Sequence, residues 1–313
     1  MSRRPGGRGR GALVSHPTRT AGISLLGAAG IATLAFAPVG GEPDRIAPAG
    51  SVAGRADESD AGVARNALAS RSWRAAATTR AAATQWEERR AVDPGRAFYF
   101  TRAIYTSGGW RRRGRSWAID FPKADVQFLI GVRRLTNVDA YEWENPVALD
   151  DPELRRYPFL YALEVGGMAL TEPEVEGLRS YLLAGGFLVI DDFWGSYEWA
   201  NFEVEIRRVL PEYPIVDIPM DHPLLRTFYQ VEEIIQVPNV GNGIRGGATW
   251  EEDGFVPALK GIFDERGRLM VVINWNTDLG DAWEWAENPQ YPLPFSNFAY
   301  QMGINFIVYA MTR

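Results

Sequence analysis

The hydrophobic pattern changes period repeatedly after residue 95. Ala97 to Tyr105 is aromatic and β-branched and predicts a strand, and the short apolar runs Asp125 to Ile130 and Phe159 to Glu164 predict two more. A helix follows. Thr171 and Glu174 have capping-box spacing, Val175, Leu178 and Leu182 recur at i, i+3 and i+7, and Gly185 stands where a C-terminal cap belongs. The chain then enters Phe187-Leu188-Val189-Ile190, an unbroken apolar run suited to a central parallel strand, and stops at Asp191-Asp192. A second helix, marked by Phe202, Ile206, Val209 and Leu210, ends at Pro211 and leads to a strand near Ile215 to Ile218. Leu259 to Phe263 and Leu269 to Ile273 flank Asp264-Glu265-Arg266-Gly267, a four-residue hairpin loop, and a last helix places Phe298, Met302, Asn305, Phe306 and Tyr309 on one face. Strands alternating with helices, then a late hairpin, predict an α/β domain over residues 96–313. It should be doubly wound, a mostly parallel sheet with helices on both faces and an antiparallel edge.

Ahead of that domain the pattern is different. Arg3, Arg4, Arg8, Arg10 and Arg19 make a basic tail over residues 1–20, and Ala21 to Ala37 is an uncharged apolar run followed by Pro38, Gly40 and Gly41. This is the layout of a secretory signal or a single membrane anchor. The run ends Ala35-Phe36-Ala37, a small-x-small cleavage pattern, yet Pro38 would take the first mature position and hinder processing, which favours an uncleaved anchor. At 17 residues the segment is at the short end for a membrane helix, for which roughly 17–25 residues are needed. The arginine excess on its N-terminal side directs the domain outward. The expectation is an inner-membrane protein touching lipid through residues 21–37, with its domain in the periplasm; the alternative is a soluble periplasmic protein after cleavage. Residues 38–95 read as a linker to Gly62 and then an Ala/Arg-rich helical spacer from Ala64 to Arg90. Its Trp73 and Trp86 lie among six arginines, a composition that suits either an anionic lipid or partner surface or a solvated helix.

Charge narrows the partners. Residues 1–95 carry 13 Arg against 8 acids, which leaves 20 Lys+Arg against 31 acids for the domain. So acidic a domain repels phosphate backbones, and nucleic acid is not expected as a partner. The chain has no cysteine, which removes disulfides, thiolate metal sites and cysteine nucleophiles.

Candidate chemistry gathers after the apolar strands. Asp191 and Asp192 lie at the carboxyl end of a central strand, where open α/β sheets place their ligand crevice. Neighbours on an extended chain point opposite ways, so one should face the crevice while the other caps a turn or helix. The run Asn274 to Trp285 also follows a strand, and Asn274, Asn276 and Asp278 alternate as oxygen ligands do in calcium loops. Gly280 falls one place late and Trp285 replaces the terminal Glu, so a hydrogen-bonded loop is expected there and a hard divalent cation is the alternative; no other cofactor is evident. His222, in Asp221-His222-Pro223, is the one histidine of the domain and a candidate acid-base group, although Ser196 lacks the context of a triad serine. Trp194, Tyr197, Trp199, Trp275, Trp283 and Trp285, with Asn276, Asp278, Asp281 and Glu284, suit a ligand or an interface, core packing being the plainer alternative. Arg111, Arg112, Arg113 and Arg115, between Trp110 and Trp117, form a basic aromatic loop that is either solvated or a docking element for an anionic surface.

Several segments carry a resemblance: Phe98-Tyr99-Phe100-Thr101-Arg102, Asp120-Phe121-Pro122, Gly185 to Asp192, Asp221-His222-Pro223 and Asn274 to Trp285. Together they resemble domain-of-unknown-function family 4159, an exported bacterial domain similar to class I glutamine amidotransferases and their cysteine-free relatives. The resemblance implies an amidotransferase-like fold in which the turn that bears the nucleophilic cysteine holds Asp191 and Asp192 instead. Amidotransferase activity is therefore not expected, because a carboxylate substitutes poorly for a thiolate in amide cleavage. Two functions follow. The anchor, the Arg/Trp spacer and the missing nucleophile favour a tethered scaffolding domain, an accessory subunit docking onto a transport, respiratory or light-harvesting complex. The alternative is a hydrolase or carbohydrate-processing enzyme using Asp191 or Asp192, with or without a metal.

Overall fold

A computed structural model of the chain describes residues 95–108 and 116–312. The expected anchor at 21–37, Trp73 and Trp86 of the spacer, and Arg111, Arg112, Arg113 and Arg115 lie outside the described residues. Among the described residues no helix is long and apolar enough to cross a membrane.

Seven strands form one mixed sheet: β1 (Thr101–Ile104), β2 (Asn145–Ala148), β3 (Phe159–Leu163), β4 (Phe187–Asp191), β5 (Ile215–Asp217), β6 (Ala258–Phe263) and β7 (Leu269–Trp275), in the order β2-β1-β3-β4-β7-β6-β5. The five strands from β2 to β7 in that order run parallel, and β6 reverses against β7 and β5 as the predicted antiparallel edge. The chain leaves β1 for β2 on one side and builds β3, β4 and β7 on the other. The strand order thus reverses between β1 and β3, and open α/β sheets place their ligand crevice at the carboxyl ends beside such a reversal.

Alternation along the strands feeds two cores. On β3, Phe159, Tyr161 and Leu163 enter one and Leu160 and Ala162 the other. The first core is covered by helices α1 (Lys123–Leu135), α5 (Leu279–Glu284) and α6 (Leu293–Thr312), through Phe128, Trp283, Met302 and Phe306. The second is covered by α2 (Glu172–Leu183) and α3 (Gly195–Val209), through Val175, Leu178, Phe202 and Ile206. Helices therefore lie on both faces. The capping box at Thr171 and Glu174 is formed in both directions at the start of α2. A short helix, α4 (Val240–Arg245), packs by the loops at the crevice.

Several elements differ from expectation, among them α5, which forms inside the run Asn274 to Trp285 where a hydrogen-bonded loop is expected. The run Asp125 to Ile130 is not a strand but part of α1, where Ala124, Asp125, Phe128, Leu129 and Val132 are buried at helical spacing. Read over six residues the run hides its period; over thirteen it shows one. Strand β2 was not predicted; it carries Pro146, and an edge strand paired on one side tolerates a residue without an N–H.

Candidate functional site

Asp191 is the last residue of β4 and is fully buried. Its Oδ2 accepts hydrogen bonds from Tyr161 Oη at 2.6 Å, Leu279 N at 3.0 Å and Gly280 N at 3.1 Å, so it closes the start of α5. Its Oδ1 is buried without a hydrogen-bond partner. Asp192 adopts the left-handed conformation, φ 45°, which turns its side chain out of the strand direction. Its N–H donates to Thr277 O at 3.2 Å, its carbonyl accepts from Glu164 N at 2.9 Å, and its Oδ1 accepts from Trp194 Nε1 at 2.9 Å. The ends of β3, β4 and β7 are thereby laced together around this one residue.

The run after β7 supplies the facing wall. Asn274 Nδ2 donates to Ile190 O at 2.9 Å, and Asn276 accepts from Gly195 N at 2.9 Å and donates to Val256 O at 2.8 Å. Both amides tie backbone segments together, Asn274 through its nitrogen and Asn276 through its nitrogen and its oxygen. Asp278 alone of the three turns inward, and it also caps α5 by accepting from Asp281 N at 2.7 Å. Asp281 in turn accepts from Val240 N at the start of α4.

The third wall is Asp120, in the left-handed conformation with φ 60° just before α1. Arg102 of β1 fixes this segment from below. Its Nη1 donates to Trp117 O at 3.2 Å and Ile119 O at 3.1 Å, while Nε and Nη2 bind the buried carboxylate of Asp125. One carboxylate oxygen from each of Asp120, Asp192 and Asp278 lies within 4.8 Å of the other two, and the same holds for Asp120, Asp281 and Glu284. These are the residues that could hold a metal. Burial pushes the Asp120 carboxyl up to about 8, helped by the charge of Asp281, and Asp191 up to about 7. Desolvation likewise raises Asp192 and Asp278 well above the ordinary carboxylate range, and raises Asp281 and Glu284.

Other candidates fall elsewhere. His222 caps a 3-10 turn, accepting from Leu224 N at 3.2 Å, and packs on Tyr309, whose ring also lies against Phe187 at the opposite end of β4 from Asp191. Trp194 is buried beneath Asp192, and Trp283 is buried against Phe100, Phe128 and Tyr161 in the first core. Trp199 packs on Trp275 at 4.6 Å, and the Lys123 ammonium lies 3.9 Å from the centre of the Trp285 ring. Tyr197 is exposed on α3. Sequence reasoning gave no role to Asp120, Arg102 or Asp125. The acid standing two residues before Pro122 and a helix was the available signal for Asp120; the pairing of Arg102 with Asp125 has none, since it depends on how α1 docks.

Fold and site together define an α/β domain with a cluster of largely buried carboxylates at the carboxyl edge of its sheet. The chain belongs to the family described as Domain of unknown function (DUF4159), whose family model matches residues 100–311. No curated protein matches it.

Proposed function

We propose that this domain is a hydrolase with a glutamine-amidotransferase-like fold that works from its carboxyl crevice without a thiolate nucleophile, tethered outside the cytoplasm by residues 21–37. The observation that carries hydrolysis is the convergence of Asp120, Asp192, Asp278 and Asp281 from three separate connections at the carboxyl ends of β1, β4 and β7. A scaffold has no need to gather so many desolvated acids, whereas general acid-base chemistry needs carboxyl groups held apart from solvent. Water adds across the scissile bond, one carboxylate takes the water's proton, and a carboxylic acid returns a proton to the leaving group. The chain has no cysteine, so release of ammonia from glutamine through a thioester is not part of this chemistry. The basic tail before an apolar run supports the location.

The test is turnover of a panel of chromogenic glycosides, carboxylic esters and phosphate esters by wild type and Asp192→Asn. One substrate class should be hydrolysed and the variant should lose about 100-fold or more. Full activity in Asp192→Asn would remove the chemistry from this crevice.

One observation favours the tethered scaffold as a second reading. Trp250, Phe255 and Val256 are 42%, 61% and 70% exposed, and their loop is pinned through Asp253 to Ser196 beside Tyr197, itself 64% exposed. Apolar surface of this kind suits a partner in a membrane protein complex. Gentle detergent extraction should then recover that partner with wild type and lose it with Phe255→Asp.

A further inference from the structure

We infer that the crevice is a binding site for one hard divalent cation, of the magnesium or calcium class, held by the carboxylates of Asp120, Asp192 and Asp278; this rests on the crevice being the working site. Oxygens on a common cation at 2.0–2.6 Å stand about 3 Å apart when adjacent and up to about 5 Å when opposite. One carboxylate oxygen from each of these three residues lies within 4.8 Å of the other two, inside the upper limit of that spacing. They come from the β1–α1 connection, the end of β4 and the loop after β7, so their approach is not a by-product of one local turn.

A second observation points the same way. Asp191, a side chain with no exposure, leaves Oδ1 without a hydrogen-bond partner, and Asp120 Oδ2 is buried and equally unpartnered. Asp191 lies close enough for its charge to act on Asp120, Asp192 and Asp278. A buried carboxylate oxygen with no donor is costly unless something positive faces it. Among the described residues, the basic side chains nearby make their contacts elsewhere, Arg102 with Asp125 and Lys123 over the Trp285 ring.

The surroundings also fit. Trp194 Nε1 and Asp281 N each hold one oxygen of Asp192 and Asp278 and so fix how the carboxylates turn, as outer partners do around metal ligands. Gly280 leaves room for Asp120, since a Cβ there would stand 2.9 Å from Asp120 Oδ2. No cysteine or histidine belongs to the group, so oxygen-seeking cations are selected over zinc or copper.

The full-length chain, purified in detergent and stripped with EDTA, should be titrated with Mg²⁺, Mn²⁺ and Ca²⁺ by calorimetry and thermal melting. One cation per chain and a higher melting temperature are expected. Asp278→Asn and Asp192→Asn should weaken binding at least tenfold, and the surface control Asp217→Asn should not. A readout on wild type alone guards against variants that fail to fold: Tb³⁺ bound beside Trp194 should glow on tryptophan excitation and be displaced by Ca²⁺. Absence of stoichiometric binding and of Tb³⁺ emission, or binding unchanged in a folded Asp278→Asn, would overturn the site. Hydrolysis that persists in EDTA and is lost in Asp192→Asn would overturn the cation and leave the hydrolase standing; saturable cation binding without turnover would do the reverse.

Discussion

Replacing Arg102 by Met should unfold the domain more readily than any other single change near the crevice. The guanidinium is 1% exposed and its partner Asp125 is fully buried, so the substitution strands an uncompensated carboxylate in the first core. Removing one partner of a buried ion pair costs about 3–5 kcal/mol. The variant also takes the donor from the carbonyls of Trp117 and Ile119, each worth about 1 kcal/mol when water can partly replace it. About 5–7 kcal/mol is therefore expected, a large share of the roughly 5–15 kcal/mol that holds a typical domain. Urea unfolding followed by tryptophan emission would measure it. The partner variant Asp125→Leu strands the arginine instead and should cost a similar amount, while the double variant, with neither charge, should recover about 2–3 kcal/mol of the summed loss. An Arg102→Met protein within about 1 kcal/mol of wild type would refute the assignment of this pair as the anchor of the Asp120 segment.

Asp191 makes stability depend on pH. Its carboxyl is raised from 3.8 to about 7 on folding, so its contribution is complete below pH 3.8 and is lost as pH rises to about 7. Between those limits the Asp191 carboxyl alone should remove up to about 4 kcal/mol from the cation-free protein, on top of what Asp120 and the other raised acids remove, and Asp191→Asn should make the slope shallower by that share; parallel slopes in denaturation from pH 4 to 8 would sink the assignment. Gly177→Ala should destabilise by about 2 kcal/mol or more in thermal melts, because its Cβ would stand 2.0 Å from the backbone oxygen of Leu149, which cannot rotate away. Phe128→Ala should cost about 3–5 kcal/mol in the same assay, since Phe128 is fully buried among Phe100, Trp283 and Tyr300.

Much of the sheet was legible because its strands are unambiguous locally. Phe187 to Ile190 has no polar residue to set a face, and it sits between two parallel neighbours, β3 and β7, as such runs do. The hairpin at Asp264 to Gly267 and the box at Thr171 were readable for a different reason: their hydrogen bonds close within a few residues of sequence. What could not be read depends on distance. Nothing in the sequence brings Asp120 to Asp278, because the contact exists only once α1 has docked and Arg102 has gripped the carbonyls before it. The same limit applies to Asn274 and Asn276, whose spacing suggests ligands but whose amides join backbone segments more than 80 and about 20 residues away. Spacing along a loop shows which oxygens are available, and it does not show which of them the neighbouring strands will take.

The adjacent aspartates illustrate how one motif divides its work. Asp191 has three donors on one oxygen and no exposure, so it cannot swing toward a substrate without breaking the start of α5. Asp192 is freed by the left-handed backbone that follows the strand, a conformation that costs about 1–3 kcal/mol for a residue other than glycine. A glycine would relieve that strain and asparagine would tolerate it well. Keeping an aspartate at a strained position therefore makes sense only if its charge is used, and the charge faces Asp120 and Asp278 across the crevice. The two residues should separate in experiment for this reason: Asp191→Asn should act mainly on stability and its pH slope, and Asp192→Asn on cation binding and turnover.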